Sequence, residues 1–274
     1  MQLVTGPANA TDHRIKWTSS NKTAATVDEN GTVTALRPIE TVTITAVYKT
    51  NPALTCSWNL KITRTKGYIT KQMLDNLDLT AIKKVMITAH PDDETLWGGG
   101  HLIEGEYLVV CMTHGWNPKR RTAFEQTMRT TNDKYLILDY PDVRKTFSNG
   151  KYETDMLSTC KNAMQEDINL ILSYKKWDLI ATHNPFGEYG KFLHKTISQM
   201  VTQCYNKMTN KSATLYYFGR YYNSSNKIPG EQIAPELLAI KNSMVDRYYP
   251  TAKGAIDAFG HMIPYENWLL PSEW

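Results

Sequence analysis

The residues best suited to chemistry follow directly on an apolar run, in the stretch MITAHPDDETLWGGG from Met86 to Gly100. His90 ends the run, and Asp92, Asp93 and Glu94 follow it. Three carboxylates at such short range repel one another, and ionised groups beside an apolar run are costly to bury unless a cation offsets them. Imidazole and carboxylate are both good ligands for a borderline cation such as Zn²⁺. The alternative is that the acids cap the helix that follows, since acidic residues suit a helix N-terminus.

Adjacent aspartates in a turn point in different directions, so one of them can bind a metal while the other faces the bound water. A metal with three protein ligands and an open position lowers the pKa of that water, and a nearby carboxylate can take its proton. The candidate for the third ligand is in THNPFGEYGKFLH, where His194 falls in the first turn of a predicted helix. A lone histidine in a helix is more often a surface or core residue, but its pairing with the first stretch favours the ligand interpretation.

Strand ends are needed to bring these residues together, and the sequence from about Gly67 predicts them. Apolar runs typical of strands alternate with longer amphipathic segments, which indicates βαβ units and a parallel sheet with helices on both faces. In open sheets of this kind, sites form at the carboxyl ends of the strands. His90, His114 and His183 each follow a predicted strand. The strand candidates are KVMITAH, EYLVVCMTH, KYLILDY, DLIATHN and TLYYF, and the helix candidates are MLDNLDLTAIKK and about 121–134, 155–174, 192–209 and 235–247.

The composition is that of an ordinary globular protein. The chain has 274 residues, which is enough for two domains, and 41% of them are hydrophobic and 21% charged. The net charge is +4, with Lys and Arg scattered rather than striped, which argues against a nucleic-acid partner. No apolar run approaches the roughly 18 residues of a transmembrane segment.

The first 66 residues have a different pattern. Short β-like runs alternate with turn signals, which predicts a small all-β sandwich. The stretch IKWTSSNKTAATVDENGTVTALRPIETVTITAVY resembles the bacterial Ig-like group 2 (BIG2) domain, over about residues 7 to 63. The resemblance implies a spacer or adhesion module on a bacterial surface protein. Such domains usually have another strand or two before this point, so we expect the natural chain to extend further toward its N-terminus. The predicted domains are therefore 1–66 and 67–274.

The second domain resembles the PIG-L/LmbE-like N-acetylglucosaminyl deacetylases, over about residues 84 to 220. AHPDDE looks like their first motif, and GEYGKFLH looks like their second, which usually reads Gly-x-Tyr-Gly-His-x-x-His. The segment between them, from Thr113 to Asp142, is a looser match. The resemblance implies a Rossmann-like fold, Zn²⁺ as cofactor, and an N-acetylated sugar or glycoconjugate as substrate.

The same resemblance implies roles for individual residues. The implied zinc ligands are His90, Asp93 and His194. Asp92 would be the general base and later the acid to the departing amine, and Tyr189 would lie near the carbonyl oxygen. Arg121 and Asp142 match positions that hold sugar hydroxyls or a distal group. Arg121 has an alternative interpretation, a surface ion pair with Glu125 at i+4.

Lys191 stands where the second motif of the family has its first histidine. In the family that histidine is not needed for metal binding and is thought to assist charge stabilisation near the reacting carbonyl. A lysine can supply a positive charge, but it does not shuttle protons near neutral pH unless its pKa is much lowered. A surface lysine is the alternative. We expect the substitution to leave the metal site intact and to alter the catalytic contribution at this position.

The sequence thus predicts a zinc-dependent de-N-acetylase, extracellular or on a bacterial surface, with a cytoplasmic location as the alternative. A non-catalytic carbohydrate-binding or adhesion protein is a second interpretation, against which the complete metal motif argues. An Fe(II) oxygenase triad is a third, but the extra acid beside the ligands fits hydrolysis better. His114 and His183 are expected to line the site or to orient a ligand.

Overall fold

The computed structural model describes residues 14–142, 155–209 and 212–274. The chain divides into two compact units, one drawn from Met1–Lys66 and Val143–Ala163 and the other from Gly67–Asp142 and Met164–Trp274. The first 13 residues of the predicted Ig-like domain lie outside the described residues. Among the described helices, none has both the length and the apolar character needed to cross a membrane.

The first unit contains the predicted β region. Its strands are β1 (Ile15–Ser19), β2 (Ala25–Val27), β3 (Val33–Ala35), β4 (Ile39–Tyr48) and β5 (Thr55–Ile62), and the short helix α4 (Asp155–Ser158) also belongs to it. An antiparallel sheet has the order β1-β4-β5, and β2 pairs with β3 as an antiparallel hairpin. In β4, Val42, Ile44 and Ala46 are buried, one every second residue, which is the period of a strand with one covered face. The prediction of an Ig-like β region is confirmed.

The second unit is an α/β domain. Its strands are β6 (Lys84–Thr88), β7 (Tyr107–Thr113), β8 (Lys134–Tyr140), β9 (Leu179–Thr182) and β10 (Thr214–Tyr217). Its helices are α1 (Lys71–Asn76), α2 (Asp93–Glu104), α3 (Pro118–Thr131), α6 (Gly187–Gly190), α7 (Phe192–Lys207) and α8 (Pro235–Phe259), with short 3₁₀ turns at Gly260–Met262 and Pro271–Glu273. Helix α5 (Lys161–Tyr174) begins at the division between the units.

The five strands form one parallel sheet in the order β10-β9-β6-β7-β8, as the strand–helix alternation predicts. β7 is buried along its whole length, which explains its unbroken apolar sequence, since both faces of a parallel sheet are covered. Strands β7 and β8 lie on one side of β6, and β9 and β10 lie on its other side, so the direction in which strands are added reverses after β8. Such a reversal opens a crevice at the carboxyl ends of the strands, here between β6 and β9.

Four helix predictions need correction. The helix expected at about 121–134 is α3, three residues earlier, and the helix expected at 155–174 is divided into α4 and α5. The stretch MLDNLDLTAIKK is helical only through Asn76, because Asp78 has a φ of 48°, which does not continue a right-handed helix. Its later apolar residues, Leu79 and Ile82, are buried from a non-helical segment. The helix expected at 235–247 continues to Phe259 and bends at Ala252, two residues after Pro250.

The glycines after the first motif are explained by close packing against the C-terminal part of the unit. A Cβ atom on Gly99 would lie 2.9 Å from Cγ of Lys241, and one on Gly100 would lie 3.1 Å from Oε2 of Glu266. Glu266 accepts hydrogen bonds from the N–H groups of Gly100 and His101 and from the buried Lys241. The second half of α2, beyond its bend at Gly98, is therefore held in place by α8 and the segment that follows α8.

Candidate metal centre

The sheet brings its chemically active side chains to one edge. The residues that follow the strand ends are His90 after β6, His114 after β7, Asp142 after β8 and His183 after β9. Asp93 is the first residue of α2, and His194 lies in the first turn of α7. One ligand atom each of His90, Asp93 and His194 lies within 4.8 Å of the other two. The predicted ligands, which are up to 104 residues apart in sequence, are thus neighbours in the fold.

The three atoms form a nearly regular triangle. His90 Nδ1 lies 3.0 Å from His194 Nε2, and Asp93 Oδ2 lies 3.2 Å from the first and 3.4 Å from the second. Ligands about 2.0–2.1 Å from a tetrahedral cation are separated from one another by roughly 3.3 Å. All three side chains are buried. The spacing therefore fits three ligands of one metal ion.

The far nitrogen of each imidazole faces a carboxylate. His90 Nε2 lies 2.9 Å from Asp142 Oδ1, and His194 Nδ1 lies 2.5 Å from Glu188 Oε2. A carboxylate accepts hydrogen bonds, so these nitrogens carry the hydrogens and the two nitrogens that face each other have lone pairs. Metal-binding histidines are commonly held in this way. Two lone pairs and a carboxylate oxygen converge on one point, and a cation satisfies all three.

The surroundings also favour a positive charge. Burial lowers the pKa of His90, but the carboxylates of Asp142 and Asp93 outweigh it and raise that pKa to about 9. For Glu188 the effects have the opposite signs. Burial alone would raise its pKa, but the neighbouring His183 and His194 lower the pKa to about 2. These carboxylates stabilise a proton in the site, and the same field stabilises a metal cation.

Asp92 lies beside the triangle in a strained backbone conformation. Its φ is 149°, and it occupies the N-cap position of α2 without a side-chain capping hydrogen bond. Asp92 therefore occupies the capping position that the alternative interpretation predicts, but its side chain does not make the capping hydrogen bond. Its Oδ2 lies 3.3 Å from Nη2 of Arg120, whereas its buried Oδ1 has no hydrogen-bond partner among the described residues. Burial raises the pKa of Asp92 to about 6.

Glu94, the third acid of the motif, is wholly buried behind the site. It accepts hydrogen bonds from the Tyr248 hydroxyl at 2.6 Å, the Thr95 hydroxyl at 2.7 Å and the Asp92 backbone N–H at 3.1 Å. Burial raises its pKa to about 7. Glu94 therefore supports the turn that carries Asp92, whereas Asp92 itself faces the site.

The remaining predicted site residues lie at different distances from the triangle. The Tyr189 ring is 5.9 Å from the ring of His194 and packs 4.5 Å from Phe259. Burial and the neighbouring carboxylates raise the pKa of Tyr189, which keeps its phenol protonated. Lys191 is the N-cap residue of α7. Burial alone would raise the pKa of Asp142. The charge of His90 and, in part, that of Lys191 outweigh this effect and hold the pKa below its usual range.

Arg121 contacts Gly115 and Glu125 rather than the metal triangle. Its Nε donates a hydrogen bond to the Gly115 carbonyl at 2.6 Å, and its Nη1 lies 3.9 Å from Glu125, the pair that its alternative interpretation predicts. The arginine that reaches the site is Arg120. The sequence did not show which of Arg120 and Arg121 faces the site. Neighbouring helix positions point about 100° apart, and the predicted start of α3 was three residues too late to assign the faces of the helix.

Two residues at the site were not found from the sequence, Arg120 and Glu188. A usable signal for Glu188 is its place between two glycines, Gly187 with a φ of 62° and Gly190 with a φ of 102°. Such glycines mark a tight turn that can direct the side chain between them inward. Glu188 is buried and contacts both His183 and His194.

Backbone strain is concentrated at this edge of the sheet. Of the five non-glycine residues with positive φ among those described, three lie here: Asp92, His114 and Glu188. Conformations of this kind cost on the order of 1–3 kcal/mol each and tend to cluster at functional sites. The arrangement is that of a pre-formed site whose geometry is imposed by the surrounding fold.

Comparison with known proteins identifies the first domain. The family model for the bacterial Ig-like domain (group 2) matches residues 1–57. The match lies outside the α/β domain.

Relatives extend into the rest of the chain. An uncharacterized protein of Acanthamoeba polyphaga mimivirus is 31% identical over 175 residues, which is 58% of this chain and 67% of that protein. An uncharacterized protein of Clostridium acetobutylicum is 33% identical over 97 residues, 35% of this chain, and the chain spans 10% of that relative's length.

A solved structure shares the fold. The crystal structure of a conserved protein from Thermus thermophilus aligns with a TM-score of 0.50 at 12% identity, and the alignment covers 70% of this chain and 96% of that one. At this identity the likeness is one of fold alone. By sequence, the chain belongs to the family that includes the mimivirus protein.

Proposed function

We propose that this protein is a zinc-dependent hydrolase that removes the N-acetyl group of an amino-sugar-containing substrate and releases acetate and a free amine. The observation that carries the proposal is the triangle formed by His90, Asp93 and His194, beside which Asp92 Oδ1 has no hydrogen-bond partner in the described part of the chain. Two imidazoles and one carboxylate, with a further carboxylate at hand, suit hydrolytic zinc sites. The resemblance of the two sequence motifs to those of the PIG-L/LmbE-like deacetylases implies the same roles for the same residues.

Zn²⁺ held by the triangle would polarise the amide carbonyl and lower the pKa of the attacking water. Asp92 takes a proton from that water as its oxygen bonds to the carbonyl carbon. Oδ1 is suited to this because Arg120 holds Oδ2. Asp92 then returns the proton to the nitrogen as the C–N bond breaks.

Tyr189 and Lys191 act on the charge that develops on the carbonyl oxygen. A protonated phenol can donate a hydrogen bond to this oxygen, and the raised pKa of Tyr189 keeps that donor available. Lys191 contributes positive charge at the start of α7, where the deacetylase motif has a histidine. Asp142 orients His90 through its Oδ1, and its Oδ2 lies 3.6 Å from His114 Nε2.

We further propose that the enzyme acts at a bacterial surface or outside the cell, on a glycan or other glycoconjugate. The match to a bacterial Ig-like domain supports this location. The alternative of a non-catalytic carbohydrate-binding protein shares that support, so the decisive measurement is turnover.

The test is acetate release from a panel of N-acetylated mono- and oligosaccharides, with Zn²⁺ present and after chelation. We expect release that chelation abolishes and added Zn²⁺ restores, and release slowed ~10²–10⁴-fold in the Asp92→Asn variant. Sugar binding without acetate release would favour the adhesion alternative. Activity that depends on Fe²⁺ and O₂ would favour the oxygenase.

A further inference from the structure

A single carboxylate oxygen joins the two buried histidines behind the metal triangle. Glu188 Oε2 lies 2.5 Å from His194 Nδ1 and 3.1 Å from His183 Nδ1. The two imidazole rings stack, with centroids 3.9 Å apart and an angle of 27° between their planes. Both ring systems are fully shielded from solvent, so the hydrogen bonds to this oxygen do not compete with water.

The backbone fixes which nitrogen of His183 carries the hydrogen. The Ala89 N–H, at the end of β6, donates to His183 Nε2 at 2.9 Å. Because Nε2 accepts, a neutral His183 has its hydrogen on Nδ1 and donates it to Glu188. The chain of contacts therefore runs from the strand before His90, through His183 and Glu188, to the predicted third ligand, His194.

We infer that Glu188 is a positioning residue of the metal centre, which orients His194 through Nδ1 and, with His183, ties this ligand to the end of β6. The inference rests on the proposed metal site. Once Nδ1 of His194 donates to Glu188, its Nε2 lone pair is left to face His90 and Asp93. Without Glu188, the hydrogen on His194 can move to Nε2, the atom that must bind the metal.

Glu188 is not itself suited to bind a metal. His183, Glu188 and His194 also have ligand-type atoms within 4.8 Å of one another. However, the 2.5 Å between Oε2 and His194 Nδ1 is a hydrogen-bond distance, shorter than the roughly 3.3 Å between two ligands of a tetrahedral cation. The hydrogen on His183 Nδ1 also points at Oε2. These contacts form a support behind the metal triangle rather than a second set of ligands.

The loop around Glu188 holds it in this position. Its φ of 55° and ψ of −69° are unfavourable for a non-glycine residue, and Asn184 secures both its ends. The Asn184 side chain accepts the Glu188 N–H at 3.0 Å, and the Asn184 N–H donates to Glu188 Oε1 at 3.1 Å. Asn184 in turn donates to the carbonyls of Phe218 and Gly219 after β10. This strain is consistent with a side chain whose position matters.

The test compares Glu188→Gln with the wild-type chain for Zn²⁺ affinity, by competition with a chromophoric chelator. Glutamine has the same size as glutamate, but one of the two carboxylate oxygens becomes an NH₂ group. In one orientation of the amide this NH₂ group faces the N–H donors of His183 and His194, and in the other it faces the N–H of Asn184. We expect Zn²⁺ affinity to fall about 10–100-fold, as for other residues that support metal ligands. We also expect the visible spectrum of the Co²⁺-loaded variant to change, a readout that a general loss of stability does not move.

Two further variants complete the design. Glu266→Gln is the matched control, since it removes a buried carboxylate that accepts backbone N–H groups away from the triangle. It should lower Tm and leave Zn²⁺ affinity unchanged. His183→Phe retains an aromatic ring beside His194 but cannot donate to Glu188, so we expect it to weaken Zn²⁺ binding as well.

The outcomes separate the two proposals. If Glu188→Gln and His183→Phe bind Zn²⁺ like the wild-type chain and give its Co²⁺ spectrum, the role of Glu188 is overturned and the metal site stands. If the wild-type chain itself binds no Zn²⁺, both are overturned. Wild-type affinity with acetate release absent from every substrate would contradict the deacetylase proposal and leave the role of Glu188 in place.

Discussion

His90 Nδ1 and His194 Nε2 face each other at 3.0 Å, although each imidazole donates its hydrogen elsewhere, to Asp142 and to Glu188. Two buried lone pairs at this distance repel unless a proton or a cation lies between them. The short distance between these two nitrogens makes the metal proposal testable, because removal of either histidine should take away one of the proposed metal ligands.

Substitution of any one ligand should empty the site. We expect His90→Ala, Asp93→Ala and His194→Ala each to lower zinc content and to abolish acetate release, because two remaining ligands hold Zn²⁺ weakly. Elemental analysis of the purified variants measures this. His101→Ala is the control, since His101 stacks on Trp268 outside the triangle and should leave zinc content unchanged. Full zinc occupancy in all three ligand variants would contradict the assignment.

Asp92→Asn should separate metal binding from catalysis. The amide keeps the shape of the side chain but cannot take a proton, and general acid–base groups typically contribute ~10²–10⁴-fold to rate. We expect zinc content near that of the wild-type chain and a loss of kcat in that range. A decrease of less than about tenfold would mean that another group accepts the proton.

The elements that carry the site were predictable where local signals were strong. KYLILDY coincides with β8, and the apolar runs before His90, His114 and His183 are all strands. The helix α3 begins with Asn117 as its cap and Pro118 at its first position, and it ends at Asn132 with a φ of 60°. These are recognisable start and stop signals, so its bounds could have been placed three residues earlier from sequence.

The support behind the ligands was not predictable in the same way. Asp142 contacts His90, which is 52 residues away in sequence. Glu188 reaches the histidines from a turn with unusual backbone angles. Neither contact follows from periodicity. The length of α8 was missed for a related reason, since a proline inside a helix normally ends it. Here Tyr248, Ile256 and Phe259 are buried on both sides of Pro250, and tertiary packing outweighs the local preference.

Lys191 provides a test of the departure from the deacetylase motif. If its ammonium acts on the developing oxyanion, Lys191→Ala should lower turnover while zinc stays bound, and Lys191→His should restore part of the loss. Removal of a central charge-stabilising donor costs ~10²–10³-fold, and less at the rim of a site. Steady-state kinetics on the two variants measure the effect. Wild-type turnover in Lys191→Ala would favour the surface interpretation.

Asp133 should make the stability of the fold depend on pH. Burial raises its pKa from 3.8 to about 7, while its Oδ1 accepts the Tyr107 N–H at 2.7 Å. Between about pH 4 and 7 the folded protein therefore binds a proton that the unfolded chain has lost, so this group's contribution falls as pH rises through that window.

The change at Asp133 amounts to roughly 4 kcal/mol, at about 1.4 kcal/mol per pKa unit. Asp133→Asn keeps an acceptor for Tyr107 and carries no charge. We expect it to match the wild-type free energy of unfolding at pH 4 and to exceed it at pH 8, as measured by urea titration. Equal pH dependence in the two proteins would contradict the assignment.

Loss of one member of the buried ion pair Lys241–Glu266 should lower stability, and neutralisation of the other member should restore part of it. Lys241→Met keeps the aliphatic stem against Gly99 but leaves the Glu266 carboxylate without its 2.6 Å partner. Loss of one member of such a pair typically costs about 3–5 kcal/mol. The double variant Lys241→Met/Glu266→Gln removes the unpaired charge, so its Tm should lie above that of Lys241→Met. A double variant no more stable than the single one would show that charge is not the cause.

The parallel pairing of β6 with β9 joins Ile87 to Thr182, and this pairing brings the two halves of the metal triangle together. Contacts between residues so distant in sequence form slowly, because a long loop must close before they contribute any stability. We therefore expect the triangle to be completed late in folding, after the local β6–α2–β7 unit. Zn²⁺ added during refolding should then leave the folding rate almost unchanged, while it slows unfolding of the finished domain.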